Sequence, residues 1–217
     1  MTSHDTQHII DIHEQLHSDL PPDPALRVKA LESLLVEKGL LNSQTVDEWI
    51  EMFTEEVGPK NGAKVVARAW TEPEYRTYLL ENGTEAINDM GFLGAQGSQM
   101  VVVANTPHIH NVVVCTLCSC YPWPVLGLPP AWYKSSAYRA RVVRDPRGVL
   151  REFGLELADD VEVRVWDSTS EMRYLVLPER PAGTDGMTAD ELAELVTRNS
   201  LVGTEKAITP SPSEKGN

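Results

Sequence analysis

"VCTLCSCYPWP", residues Val114–Pro124, holds every cysteine of a 217-residue chain: Cys115, Cys118 and Cys120. Three thiols crowded into one short turn, with no fourth cysteine elsewhere, admit four readings. A structural disulfide is uncommon in a reducing compartment and leaves one thiol over. A redox Cys-x-x-Cys normally opens a helix after a strand, and Pro122 and Pro124 suit that place poorly. A zinc site wants four ligands and has to borrow His108 or His110.

The fourth reading uses the backbone. If the sulfurs of Cys118 and Cys120 bind one metal, the amide nitrogens of Ser119 and Cys120 lie between them. Sulfur of Cys118 to nitrogen of Ser119 closes a six-membered chelate ring. The two nitrogens close a five-membered ring, and Cys120 closes another with its own sulfur. That makes a four-point square, with Cys115 in reach of an axial position and a sixth site facing out. Thiolates and deprotonated amides are strong donors that favour a trivalent first-row metal over zinc.

The whole chain has the composition of an ordinary soluble protein, with 41% hydrophobic and 24% charged residues. No apolar run approaches the roughly eighteen residues of a membrane span. The stretch before Asp23 lacks a basic n-region, an apolar h-region and a cleavage site, so a cytoplasmic protein is expected. A formal net charge of -13 without a basic stripe argues against nucleic acid and anionic membranes. His4, His8, His13 and His17 recur in the N-terminal segment and read as a solvated or partner-facing arm rather than a metal site.

Helix grammar dominates as far as residue 90. "DPALRVKALESLLVEKGL" (Asp23–Leu40) has Asp23 as N-cap, Pro24 at the first helical position and Gly39 at the end. "SQTVDEWIEMFTEEVGP" (Ser43–Pro59) spaces Val46, Trp49, Ile50, Phe53 and Val57 helically and stops at Gly58-Pro59. "AKVVARAW" (Ala63–Trp70) is a third helix, and "TEPEYRTYLLENG" opens with a Thr71/Glu74 capping box.

After Gly91 the β-branched runs "MVVVAN" (Met100–Asn105) and "IHNVVVC" (Ile109–Cys115) read as strands. "VEVRVWD" (Val161–Asp167) alternates, and "MRYLVLP" (Met172–Pro178) is expected beside it. "DPRGVLREFG" repeats the Asp-Pro helix start, and Thr188 with Glu191 makes a further capping box. The expected fold is α+β. A helical arm over 1–90, lying on a partner, precedes a layered α/β metal-binding domain over 91–205, with a loose tail over 206–217.

With these elements laid out, the segment "VCTLCSCYPWPVLGLPPAWYKSSAYRARVVRDPRGVL" (Val114–Leu150) closely resembles the metal-binding segment of nitrile hydratase α subunits. "RVKALESLL", "EVGPKNGAKVVARAW", "WDSTSEMRYLVLPERPAGTDG" and "ELVTRNSLVG" are similar to the same subunit. The likeness runs from about Arg27 to Gly203.

The resemblance implies one non-corrin cobalt or non-haem iron centre, held by Cys115, Cys118, Cys120 and the amides of Ser119 and Cys120. It implies that Cys115 stays a thiolate, Cys118 becomes the sulfinic acid and Cys120 the sulfenic acid. The implied reaction is hydration of a nitrile to an amide, with the sulfenate oxygen of Cys120 a candidate nucleophile or base. Gln96 and Trp123 match substrate-pocket positions. Lys134, Asp167, Glu171 and Arg173 match positions that orient the site and meet a β subunit.

Thr116 and Tyr121 match cobalt members, so cobalt(III), one per chain, is expected ahead of iron(III). A β subunit in a heterodimer or heterotetramer, a maturation or activator protein and a small nitrile are the implied partners. A thiocyanate hydrolase metal subunit shares the loop and stands as the same-fold alternative. A zinc or thiol interaction module is the alternative of another class.

Overall fold

The computed structural model describes residues 23–93, 99–118 and 120–210. The four N-terminal histidines, Gln96 and Ser119 lie outside the described residues. The chain divides into two compact units, Met1–Ile50 and Glu51–Asn217. The composition change near Gly91 falls inside the second.

In the first unit, α1 (Asp23–Glu37) ends as expected: Gly39 takes φ +67° and Leu40 N–H donates to Leu35 O at 2.9 Å. Leu26, Val28, Leu31, Leu34 and Leu40 are exposed on this unit. Asn42 Oδ1 accepts from Gln44 N–H at the start of α2 (Ser43–Glu51).

The second unit opens with a π-helical stretch, Met52–Val57, closed by Gly58 at φ +36°. Then come α3 (Lys60–Thr71), α4 (Pro73–Glu81) and α5 (Gly83–Asn88). The expected Thr71/Glu74 capping box does not form. Thr71 is still the last residue of α3, and its hydroxyl donates back to the Ala67 and Arg68 carbonyls. Pro73 instead supplies the first position of α4.

Strands β1 (Gln99–Ala104), β2 (Ile109–Val114), β3 (Glu162–Asp167) and β4 (Met172–Leu177) sit where the β-branched runs are. Their pairing differs from the expectation. β3 lies not beside β4 but parallel to β2, and β4 lies parallel to β1. β2 is buried over five consecutive residues, which fits a parallel strand covered on both faces rather than a half-exposed hairpin.

The pairing fixes the site. Val114 is in register with Asp167, and Ser168 N–H donates to Val114 O at 2.7 Å. The carboxyl ends of β2 and β3 therefore lie side by side, and the cysteine loop leaves from that end.

Between β2 and β3 run α6 (Trp123–Leu126), α7 (Ala131–Lys134), α8 (Ser136–Arg141) and α9 (Pro146–Glu152). Asp145 caps α9 as expected, its Oδ1 accepting from Gly148 N–H at 2.9 Å. Two short helices follow β4. In α10 (Ala189–Ala193), Thr188 and Glu191 form the expected capping box; in α11 (Arg198–Val202), Thr197 and Ser200 form a second.

One apolar core joins α3, α4 and α5 to all four strands, through residues such as Val66, Leu79, Ile87, Val102, Val112 and Leu175. Burying side chains of this size contributes about 1.5–3 kcal/mol each. Packing continues past residue 205: Ala207 is buried and Ile208 N–H donates to Leu195 O at 2.8 Å.

Under the loop the core is aromatic. Tyr121 and Tyr133 meet edge to face at 4.9 Å, and Trp132 meets Tyr138 at 4.9 Å and Phe153 at 4.8 Å. This stack makes a rigid floor for the turn above it.

Candidate metal centre

The loop leaves β2 at a buried sulfur and climbs to the surface. Cys115 is 1% exposed, Cys120 half-buried and Cys118 exposed. Cys115 Sγ lies 3.2 Å from Cys118 Sγ, which lies 3.1 Å from Cys120 Sγ. All three sulfurs fall within 4.8 Å of one another, and none is in a disulfide. Three thiols converging at this spacing fit one thiophilic metal ion.

Among the described residues no histidine or carboxylate joins the cluster. The ring of His110 is buried and engaged by Gly203 O at 2.7 Å and Asn105 Nδ2 at 3.3 Å, and His108 is exposed. A four-ligand zinc site borrowing either histidine therefore lacks its fourth donor.

Several hydrogen bonds hold the loop. Cys118 N–H donates to Cys115 Sγ at 3.3 Å, closing the first turn. Asp167, at the end of β3, accepts the Thr116 N–H at 2.9 Å and the Thr116 hydroxyl at 2.6 Å. Tyr133 donates its hydroxyl to Cys120 O at 3.0 Å. Arg139 Nη1 donates to Cys118 O at 3.2 Å. Val113, just before the loop, gives its carbonyl to the Tyr138 hydroxyl at 2.6 Å.

The electrostatics follow from this packing. Burial, then hydrogen bonds with the Cys118 and Cys115 sulfurs, pushes the Cys120 thiol up to about 12, while the Arg173 charge pulls it down. The Cys120 thiol therefore holds its proton until a cation replaces it. Burial likewise pushes the phenols of Tyr121 and Tyr133 up, so both stay neutral, and Tyr133 serves as a hydrogen-bond donor.

Several buried polar atoms around the loop make no hydrogen bond: Tyr121 OH, Ser168 Oγ, and the Nε of Arg139 and of Arg173. Arg173 Nη1 is occupied by the Thr169 and Met172 carbonyls.

Of the residues expected in the site, the structure brings together Cys115, Thr116, Cys118, Cys120 and Asp167, with Arg173 close enough to act on Cys120. Trp123 opens α6 with 40% of its surface exposed and its ring edge to face with Phe53 at 5.7 Å. Glu171 is exposed and engaged through its backbone, its carbonyl accepting from Gln99 N–H at 2.7 Å. Lys134 is exposed at the end of α7, and its neighbour Tyr133 is the residue that reaches the loop.

Tyr133, Tyr138 and Ser168 carry no sequence signal for a site. Each reads as core or as loop until the fold sets it beneath the cysteines. Arg139 stands out only as one of the few cations able to fold back.

Comparison with known proteins agrees with this geometry. The family model described as nitrile hydratase, alpha chain, matches residues 22–205. The chain is 56% identical over 202 residues to the low-molecular weight cobalt-containing nitrile hydratase subunit alpha of Rhodococcus rhodochrous, covering 92% of this chain and 98% of the relative. It is 58% identical over 182 residues to the cobalt-containing nitrile hydratase subunit alpha of Pseudonocardia thermophila, covering 83% and 89%.

It is also 45% identical over 185 residues to thiocyanate hydrolase subunit gamma of Thiobacillus thioparus, covering 80% and 76%. Among solved structures, an Fe-type nitrile hydratase double mutant from Comamonas testosteroni Ni1 superposes with TM-score 0.81 at 41% identity, covering 89% of this chain and 97% of that one. A matching family model over most of the chain, relatives above 55% identity and a three-thiol loop at the expected strand end lead to one conclusion: the chain belongs to the nitrile hydratase α-chain family.

Proposed function

We propose that this chain carries the metal centre of a cobalt nitrile hydratase and hydrates small nitriles to amides together with a β subunit. The observation that carries the reading is the convergence of three thiols within 4.8 Å on a loop at the carboxyl end of paired parallel strands. The ligand set follows from the chelate rings: Cys115, Cys118 and Cys120 through sulfur, and Ser119 and Cys120 through their amides. Cys118 becomes the sulfinic acid and Cys120 the sulfenic acid, both rungs of ordinary cysteine oxidation.

When bound, the metal supplies Lewis-acid polarisation at the outward-facing position. The chain's own residues arrange the rest. Asp167 fixes the turn at Thr116, Tyr133 fixes the carbonyl of Cys120, and the Arg173 charge favours the anionic form of the Cys120 side chain. An anionic sulfenate oxygen there is poised to attack the nitrile carbon or to take a proton from water. Trp123, half-exposed near the loop in sequence, and Gln96 line the substrate pocket in this reading. Lys134 and Glu171, both exposed, are free to meet the partner.

Cobalt is favoured by Thr116 and Tyr121 and by the cobalt named for the 56% and 58% identical relatives. Fold likeness to an Fe-type enzyme at 41% identity weighs less. The exposed apolar residues of α1 support a partner-binding role for the first part of the proposed helical arm over 1–90, while α3, α4 and α5 pack into the core. Three thiols outside any disulfide suit a reducing, cytoplasmic setting, and a maturation protein fits a centre that needs both metal and oxidation. No described helix is long and apolar enough to cross a membrane.

A second reading, thiocyanate hydrolysis, draws on the 45% identical relative and on a thiocyanate hydrolase structure at TM-score 0.74. The test is purification of the chain with its β subunit from cells given both metals. Cobalt near one per chain and amide production from a simple nitrile are expected. Stoichiometric iron with full activity, or turnover of thiocyanate in place of nitriles, overturns the respective part.

A further inference from the structure

Trp123 opens α6 just after the cysteine loop and leaves 40% of its surface exposed. Its ring meets that of Phe53 edge to face, with centroids 5.7 Å apart and the planes at 75°. Phe53 comes from far earlier in the chain, half-buried in the π-helical stretch Met52–Val57. The widened turn is closed by Gly58 N–H, which donates to Phe53 O at 3.1 Å. Turns of this kind are rare, and they recur at functional sites.

The widened turn is locked onto α6. Gly127, which ends α6 at φ +68°, has no room for a side chain there. A Cβ on it would lie 2.6 Å from Phe53 O and 2.7 Å from Gly58 Cα. The same Gly127 donates its N–H to Trp123 O at 2.9 Å. Asn61, early in α3, donates its side-chain amide to Pro124 O at 2.9 Å. The backbones that carry the two rings are therefore fixed against each other. An edge-to-face contact between rings so held is directional and sets how the indole tilts.

From this clasp we infer that Phe53 is a positioning residue for substrate specificity, setting the tilt of Trp123 and with it the room left for the side group of the nitrile. The inference rests on the reading of Trp123 as a wall of the substrate pocket. Phe53 acts through Trp123 and not on the reacting atoms. With Phe53 in place the indole is held and small nitriles are favoured. With Phe53 removed, the indole can turn into the vacated space, and bulkier nitriles gain relative to small ones.

The test uses the cobalt-loaded complex with the β subunit. Wild type, Phe53→Ala, Phe53→Leu, Phe53→Tyr and Trp123→Phe are compared on acetonitrile and benzonitrile. The readout is the ratio of kcat/KM for the two, with kcat and KM resolved for each. In Phe53→Ala the ratio should move toward benzonitrile by about tenfold, the scale on which an apolar pocket discriminates side groups. Phe53→Leu keeps apolar volume without a ring. It should move the same way, and it guards against misfolding of the alanine variant. Phe53→Tyr keeps the ring and should return the ratio toward wild type. A general loosening of the fold would lower both kcat/KM values together and leave the ratio alone. A second readout is the fluorine resonance of Trp123 in protein labelled with 5-fluorotryptophan, assigned by its loss in Trp123→Phe. It should shift in the alanine and leucine variants while cobalt stays near one per chain.

An unchanged ratio in both Phe53→Ala and Phe53→Leu, with Trp123→Phe altering it, overturns the role of Phe53 and leaves the pocket reading standing. An unchanged ratio in Trp123→Phe as well overturns Trp123 as a pocket wall, and this inference with it. Absence of nitrile hydration by the wild-type complex overturns the proposed function instead.

Discussion

Asp167 grips Thr116 twice, accepting its N–H at 2.9 Å and its hydroxyl at 2.6 Å across 51 residues of sequence. One carboxylate thus ties the end of β3 to the second residue of the cysteine loop. Asp167→Ala removes both acceptors and leaves the turn free to open. Loss of a group that orients metal ligands typically costs about 10–100-fold in metal affinity or activity. That range is expected for cobalt retention in Asp167→Ala, read by elemental analysis after dialysis against a chelator. Asp167→Asn keeps one acceptor and should fall between it and wild type. Retention equal to wild type in the alanine variant would remove Asp167 from the site.

The cysteines themselves separate ligand from oxygen donor. Cys120→Ser removes a sulfur ligand and the sulfenate oxygen together, so activity should vanish. Cys115→Ser removes the buried anchor sulfur and should lose metal as well. Mass analysis of the active protein should find about three added oxygens on the peptide holding residues 115–120, two on Cys118 and one on Cys120. An active, metal-loaded protein with all three cysteines unmodified would count against this mechanism.

The convergence of Cys115, Cys118 and Cys120 was legible in the sequence because it is local: a few covalent links keep the three sulfurs close whatever the rest of the fold does. Helix ends marked by Asp145-Pro146, Thr188/Glu191 and Gly39 were legible for the same reason. Strand partners were not. β3 and β4 are neighbours in sequence, but β2 and β1 claim them, because parallel pairing is decided by which apolar faces meet in the core. The roles of Tyr133 and Tyr138 depend on that same non-local packing. Thr71 failed as a cap because Pro73 can open α4 without it, while Thr71 itself is the last residue of α3.

A buried histidine on β2 gives the fold a pH dependence. Gly203 O can only accept, so His110 Nε2 carries the proton, and Nδ1 accepts from Asn105 Nδ2. Asn105 Oδ1 is already taken by the Asn111 N–H at 2.8 Å, which fixes that orientation. Burial holds the imidazolium form below its usual range, the Lys206 charge acts in the same direction, and the Gly203 hydrogen bond opposes them. The unfolded chain therefore takes up a proton as pH falls through about 6.5, while the folded chain does not until lower pH. The stabilising contribution is fully present above that value and is lost as pH drops toward the folded-state value. Urea midpoints for wild type should fall between pH 7.5 and pH 5.5. His110→Asn should be less stable at both values but with a smaller difference between them. An equal or larger difference in the variant would assign the acid sensitivity to other groups.

The charge of the centre argues that one chain is not enough. A trivalent metal with three thiolates and two deprotonated amides carries about -2, and burying such a charge demands cationic donors. Between Arg76 and Lys134 the chain has neither Lys nor Arg. Of the three arginines able to fold back, Arg141 is spent on Glu152, Arg139 on the Cys118 carbonyl, and Arg173 largely on the carbonyls of Thr169 and Met172. The outer face of the loop meanwhile stands open, with Leu117 89% exposed at its tip and Trp123 40% exposed beyond it. An apolar tip beside a partly compensated anion suits a surface that a second chain covers, bringing cations and the far wall of a substrate channel. The purified, metal-loaded chain alone should therefore turn over a simple nitrile negligibly. Addition of the β subunit should restore turnover together with a size-exclusion mass of at least one αβ pair. Full turnover by the isolated chain at monomer mass would mean that Arg139 and Arg173 suffice, and that the open face serves something other than the reaction.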